Sequence, residues 1–154
     1  MSNNKHNPST SLASHGEWLS RASFLLATAV IYLWQLGHRG LWQSEDRWAE
    51  IARNMVLTGD YFHPIMNATV YFDKPLVSYW FIALVAKLAG VMNEWVVRFP
   101  SAAMGMLGLY ATYSLAKKHW SHNAAWLAVW LLLTSFGVIF WSRTAAADMA
   151  NAAM

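Results

Sequence analysis

Two adjacent carboxylates, Glu45 and Asp46, stand in the stretch SEDRWAEIARNM, just after the first apolar run of the chain. With Ser44 as helix N-cap and a step of about 100° per residue, Trp48, Ala49, Ile51, Ala52, Met55 and Val56 share one arc, and Asp46, Glu50, Arg53 and Asn54 the other. Glu45 projects into the apolar arc and Asp46 onto the polar one, so the two acids are not equivalent. Two chemistries compete for them. Acids in a first turn complement the helix dipole, worth about 0.3–1 kcal/mol each. A carboxylate facing apolar surroundings instead has its pKa raised by desolvation and can serve as a general base.

Other reactive side chains are sparse. Lys74, in the segment Asp73-Lys74-Pro75, suits an interfacial ammonium that pairs with Asp73 or with lipid head groups. Asp148 follows a run of alanines, where it is either a surface residue near Arg143 or an acid held at the end of a span for function. His63 precedes Pro64 and fits a turn more readily than a metal site. Asn67-Ala68-Thr69 matches the glycosylation acceptor pattern, a weak three-residue match. There is no cysteine, which excludes disulfides, thiolate metal sites and cysteine nucleophiles.

The elements that must position these groups are membrane elements. Of 154 residues 56% are apolar and 12% charged, with ten tryptophans, which marks an all-α integral membrane protein. The net charge of +3 is scattered, which argues against nucleic acid as partner. A span needs roughly 20 apolar residues. The pattern predicts a polar cytoplasmic tail over 1–17, spans over 18–36, 96–116 and 124–141, and a cytoplasmic turn over 117–123. The stretch 37–95 then forms a long outer loop, with interfacial helices over about 44–57 and 75–92, and 142–154 starts a second outer loop that looks truncated.

The stretch 75–92 is barely long enough to cross and carries Lys87, so parity decides the reading. With three spans Glu45, Asp46 and Asp148 share one side, and Lys5, Arg21, Lys117 and Lys118 lie inside, as the positive-inside rule requires. A fourth span would turn Lys117 and Lys118 outward. Within the loop, MNAT supplies a turn before the strand-like TVYF, Pro75 suits the first position of the second interfacial helix, and Arg98-Phe99-Pro100 is expected to anchor the next span at the interface.

The ordered motifs Leu-Trp before an acidic pair, RWAEIAR, GDY, YFDKP with an aromatic-rich helix after it, and R-x-P resemble the N-terminal part of GT-C membrane glycosyltransferases. That family takes a sugar from a polyprenyl phosphate and includes the lipid A aminoarabinose transferases and the protein mannosyltransferases. The resemblance covers about residues 17–150. It implies an inverting transferase of the bacterial inner membrane, acting at the outer face on a hydroxyl of a lipid, glycan or protein. One acid of the pair, Glu45 or Asp46, would be the base. The family usually has Asp-Glu where this chain has Glu-Asp; the helical arc favours Glu45 and the residue type favours Asp46.

The resemblance further implies that Lys74 lies near the donor phosphate, where an ammonium stabilises the leaving group, with Arg47 and Asp73 beside it and Asp148 as a second-loop acid. Some relatives bind a divalent metal ion, for which Asp148 and His63 are the candidates. The alternative is a non-catalytic membrane fragment or accessory subunit of such an enzyme. A small transporter subunit ranks last, because the spans hold almost no ionisable residues away from their ends.

Overall fold

The structure, a computed structural model, describes residues 8–42 and 44–148, with side-chain surroundings from residue 18 onward. Residues 1–7 of the expected tail and 149–154 of the second outer loop lie outside it. Six helices follow in order: α1 (Pro8–Leu33), α2 (Glu45–Thr58), α3 (Leu76–Ala89), α4 (Glu94–His119), α5 (His122–Leu133) and α6 (Phe136–Ser142). A two-residue hairpin, β1 (Ile65–Met66) and β2 (Thr69–Val70), lies between α2 and α3.

The strut of the molecule is α4. At 26 residues it is about 39 Å long by the rise of an α-helix. Its start is fixed by Asn93, whose Oδ1 accepts the Val96 N–H at 3.0 Å. The two apolar clusters lie at different levels of this strut. One gathers Trp48, Ile51, Ala52 and Met55 of α2, Tyr79, Ile82 and Ala83 of α3, Val97 of α4, and Ala145 and Ala147. The other joins Tyr32 and Leu36 to Ala102 and Leu109 of α4 and Leu133 of α5. Helices α2 and α3 thus form one layer over the N-terminal end of α4, and α1, α5 and α6 surround its body.

The α2 arc is as the periodicity predicts: Trp48, Ile51, Ala52 and Met55 are buried and Asp46 and Arg53 exposed. That apolar face is covered by α3. Ser44 is the N-cap residue, but its side chain makes no capping bond. The helix stops at Gly59, whose φ of 74° lets its N–H turn back to the Met55 carbonyl at 3.0 Å. The expected turn is the hairpin tip, with Asn67 and Ala68 at φ 49° and 61°, and Glu50 Oε1 accepts the Asn67 N–H at 2.9 Å.

The described helices differ from the expected spans in their bounds and continuity. Helix α1 starts at Pro8, ahead of the expected span's start at residue 18, because proline is suited to the first helical position. It ends at Leu33, ahead of turns over 34–39. The expected continuous helix over 124–141 is broken: α5 and α6 meet at 64°. At the break the Thr134 hydroxyl donates back to the Trp130 carbonyl at 2.9 Å, and Ser135 takes up an extended conformation. No single described helix is long and apolar enough to cross a membrane; α5 and α6 together meet that length and composition. Residues 96–116 lie within α4, where serine, glycine, threonine and tyrosine dilute the apolar content.

Candidate functional site

Glu45 opens α2 and is wholly buried at 0% exposure. Its Oε1 accepts from Arg98 Nε at 2.9 Å and from the Ala145 N–H at 2.9 Å. Its Oε2 accepts from Arg98 Nη2 at 2.7 Å and from the Trp42 N–H at 3.0 Å. Arg98, 2% exposed, gives its remaining N–H groups to the carbonyls of Leu36 at 2.8 Å, Arg39 at 2.7 Å and Gly40 at 2.9 Å. All five guanidinium donors are therefore used in a fixed fork. This one ion pair ties together the turn after α1, the start of α2, the first turns of α4 and the loop after α6.

Two expectations change here. Burial alone raises the Glu45 carboxyl, but the Arg98 hydrogen bonds, the Ala145 N–H, the Arg98 charge and the Trp42 N–H together outweigh it. They hold it below its ordinary value of 4.5. The raised pKa expected from an apolar setting is thus reversed, and the lone pairs a base would need are occupied. Arg98 is likewise not an interfacial surface anchor but a buried partner, because its five donors find acceptors only in the interior.

Asp46, one residue on, is exposed and lines an open cleft of about 530 Å³ with Glu50, Arg53, Asn54, Asn93 and Glu94. The arc difference between the two acids is real, but its chemical sense is opposite to the simple one. The acid on the apolar side is locked as a carboxylate; the acid on the polar side is left open.

The structure brings Arg47, Asp73 and Lys74 together. Arg47 Nη1 donates to Tyr71 Oη at 3.0 Å, and Tyr71 donates onward to Asp73 Oδ2 at 2.9 Å. Lys74 Nζ lies 3.7 Å and Arg47 Nη1 3.9 Å from that same Oδ2. Tyr79 of α3 packs its ring 4.5 Å from that of Trp48. Its phenol is pushed up, by burial first, with the Arg47 charge acting against and Tyr71 and Asp73 adding to the rise. Arg47 Nε and Tyr79 Oη are both buried without a hydrogen-bond partner among the described residues. Two orphaned donors beside an exposed ammonium leave a place where a polar, anionic group would be satisfied. Tyr71 and Tyr79 were not singled out from the sequence. The only signal was their position on either side of Asp73-Lys74-Pro75 in an aromatic-rich run.

The remaining candidates stand apart. His63 Nδ1 is 2.8 Å from Asp60 Oδ2, both side chains being exposed. The Phe62 N–H above all, then the His63 side chain and N–H, hold the Asp60 carboxyl below its usual range. This is turn chemistry. Asp148 is exposed beside Ala147, which joins the α2/α3 cluster. Among the described residues no group of three or more His, Cys, Asp or Glu could hold a metal ion.

Residues 73–154 match the family of dolichyl-phosphate-mannose-protein mannosyltransferases, and the chain belongs to that family. It is 38% identical, over 116 residues, to the undecaprenyl phosphate-α-4-amino-4-deoxy-L-arabinose arabinosyl transferases of Pseudomonas paraeruginosa and Pseudomonas aeruginosa. The match covers 75% of this chain and 21% of each of them. Its fold matches the crystal structure of ArnT from Cupriavidus metallidurans in the apo state, with a TM-score of 0.81 and 29% identity over 92% of this chain and 26% of that one. The same ArnT bound to undecaprenyl phosphate matches at 0.82 and 28%, over 89% and 25%. The chain thus spans about a fifth to a quarter of the length of these relatives.

Proposed function

We propose that the chain carries the donor-phosphate side of an inverting glycosyltransferase that moves a sugar from a polyprenyl phosphate to a hydroxyl at the outer face of the bacterial inner membrane. The observation that carries this reading is the Arg47-Tyr71-Asp73-Lys74 cluster with its two orphaned donors, Arg47 Nε and Tyr79 Oη. Family membership, the ArnT fold and the undecaprenyl phosphate named for the similar structure support it.

In the reaction, the acceptor oxygen attacks the anomeric carbon as the carbon–oxygen bond to phosphate breaks. The phosphate leaves with one further negative charge, which Lys74 and Arg47 stabilise. The acceptor proton passes to a carboxylate, for which Asp46 is the member of the pair whose lone pairs are unclaimed among the described residues. Glu45 acts as a positioning residue: by holding Arg98 and the Trp42 and Ala145 N–H groups it fixes the start of α2, and with it Asp46 and Arg47. Asp148 stands as the second acid of the outer face, and no metal is assigned a step. In the membrane, α1, α4 and the bent α5–α6 pair form three crossings, and α2 and α3 lie as a layer at the outer interface.

The test is binding of undecaprenyl phosphate to the protein in nanodiscs. Lys74→Ala should weaken it about tenfold or more, and Arg47→Ala similarly, since each removes a charge-assisted contact. Unchanged affinity in both variants would overturn the assignment.

A further inference from the structure

Arg98 also lines a second pocket, of about 380 Å³, which the transfer chemistry does not use. Its polar wall is built from Arg39, Arg98, Arg143 and His38, and its apolar wall from Phe136, Ile139 and Phe140. Two of the guanidiniums share one carboxylate, that of Glu45, which Arg98 meets at 2.7 Å and Arg39 approaches at 3.8 Å; Arg143 has no carboxylate partner among the described residues. The wall therefore carries more positive charge than the one carboxylate offsets.

Arg98 has no donor left. Arg143 has: its Nη1 donates to the Ile31 carbonyl and its Nη2 to the Trp34 carbonyl at 2.8 Å, which uses two of five N–H groups. Those bonds explain why it sits at the end of α1, not why three of its donors remain. Arg39 is 59% exposed and lies 5.6 Å over the Trp42 ring. The Arg143 guanidinium is made less basic by burial first, then by the charges of Arg98 and Arg39, a crowding of like charge that an anion would relieve. Phe136, 80% exposed, extends the pocket with apolar surface.

We propose that this pocket is a second anion site, in which Arg39 and Arg143 hold the phosphate head of a membrane amphiphile whose tail runs along Phe136, Ile139 and Phe140. It is separate from the Lys74 cluster and does not depend on which sugar is transferred. Arginine forks suit phosphate oxygens, and an apolar wall beside them favours a phosphate carried on a chain over a free one.

The experiment is titration of the protein, held in phosphatidylcholine nanodiscs, with dioctanoyl phosphatidic acid, dioctanoyl phosphatidylcholine and inorganic phosphate, bound species being counted by native mass spectrometry. Phosphatidic acid should bind well ahead of the other two, and Arg39→Gln with Arg143→Gln should weaken it about tenfold or more. Lys74→Ala removes at most the molecule held at the Lys74 cluster and should leave the second bound phosphatidic acid, the one that Arg39→Gln weakens, in place. Since Arg143 also holds the end of α1, Arg39→Gln alone, at an exposed position, decides the matter if the double variant does not fold, and should weaken binding at least about threefold. The proposal falls if Arg39→Gln binds as the wild type does, if Lys74→Ala abolishes the binding, if phosphatidylcholine binds equally, or if inorganic phosphate binds as tightly as phosphatidic acid.

Discussion

Arg98 holds both carboxylate oxygens of Glu45, at 2.9 and 2.7 Å, across 53 residues of sequence, with neither side chain more than 2% exposed. Bidentate geometry and the neighbouring backbone donors satisfy the pair fully, the condition under which a buried ion pair can persist. The pair is where the layer of α2 and α3 is pinned to the α4 strut.

Removing one partner leaves the other charge buried. Arg98→Met should therefore lower stability by about 3–5 kcal/mol, with Arg98→Lys in between because an ammonium cannot reproduce the fork. Thermal unfolding of the purified protein in detergent measures this. A loss below about 1 kcal/mol for Arg98→Met would show that the pair does not hold the layer.

Glu45 also sets an acid limit. Its folded pKa lies below its ordinary 4.5, so the stability it contributes is fully present above about 4.5 and is lost as pH falls through the lower, folded value. The melting temperature should stay flat from pH 7 to 5 as far as this group decides it and fall below about 4.5, and Glu45→Gln should flatten that acid limb. A raised pKa would give the reverse, stability gained as pH falls from 7 towards 5.

The close approach of α4 to its neighbours depends on Gly105. A Cβ there would collide with the Ser142 side chain and lie 3.1 Å from the Tyr32 ring, whereas one at Gly108 meets nothing within 4 Å. Gly105→Ala should cost about 1–3 kcal/mol by overpacking, and Gly108→Ala should be neutral or slightly stabilising through helix propensity. Equal melting temperatures for the two variants would contradict the packing.

Much of this was readable in the sequence where the signal was local. The arc of α2, the turn at Asn67-Ala68 and two helices within the stretch 37–95 follow from periodicity and turn chemistry. The family motifs brought Arg47, Asp73 and Lys74 forward, and those three do meet. What was not legible was non-local. A glutamate on an apolar arc reads as desolvated until its arginine is found, and Arg98, on the buried Val96-Val97 side of α4, offered the complementary clue from far along the chain. The break at Thr134-Ser135 was hidden because an apolar run gives no sign of which carbonyl a hydroxyl will take. Tyr79 was hidden because an aromatic in a greasy helix reads as packing.

The division of labour between the two acids is tested most directly by sugar transfer from undecaprenyl-phosphate-linked donor in Asp46→Asn, with its unfolding temperature measured beside the rate. The proposed roles predict an unchanged melting temperature with turnover reduced about 100-fold or more, the scale of a lost general base. Asp46→Asn transferring sugar at the wild-type rate would contradict them, and loss of the same size in Asp148→Asn would then move the proton to that acid.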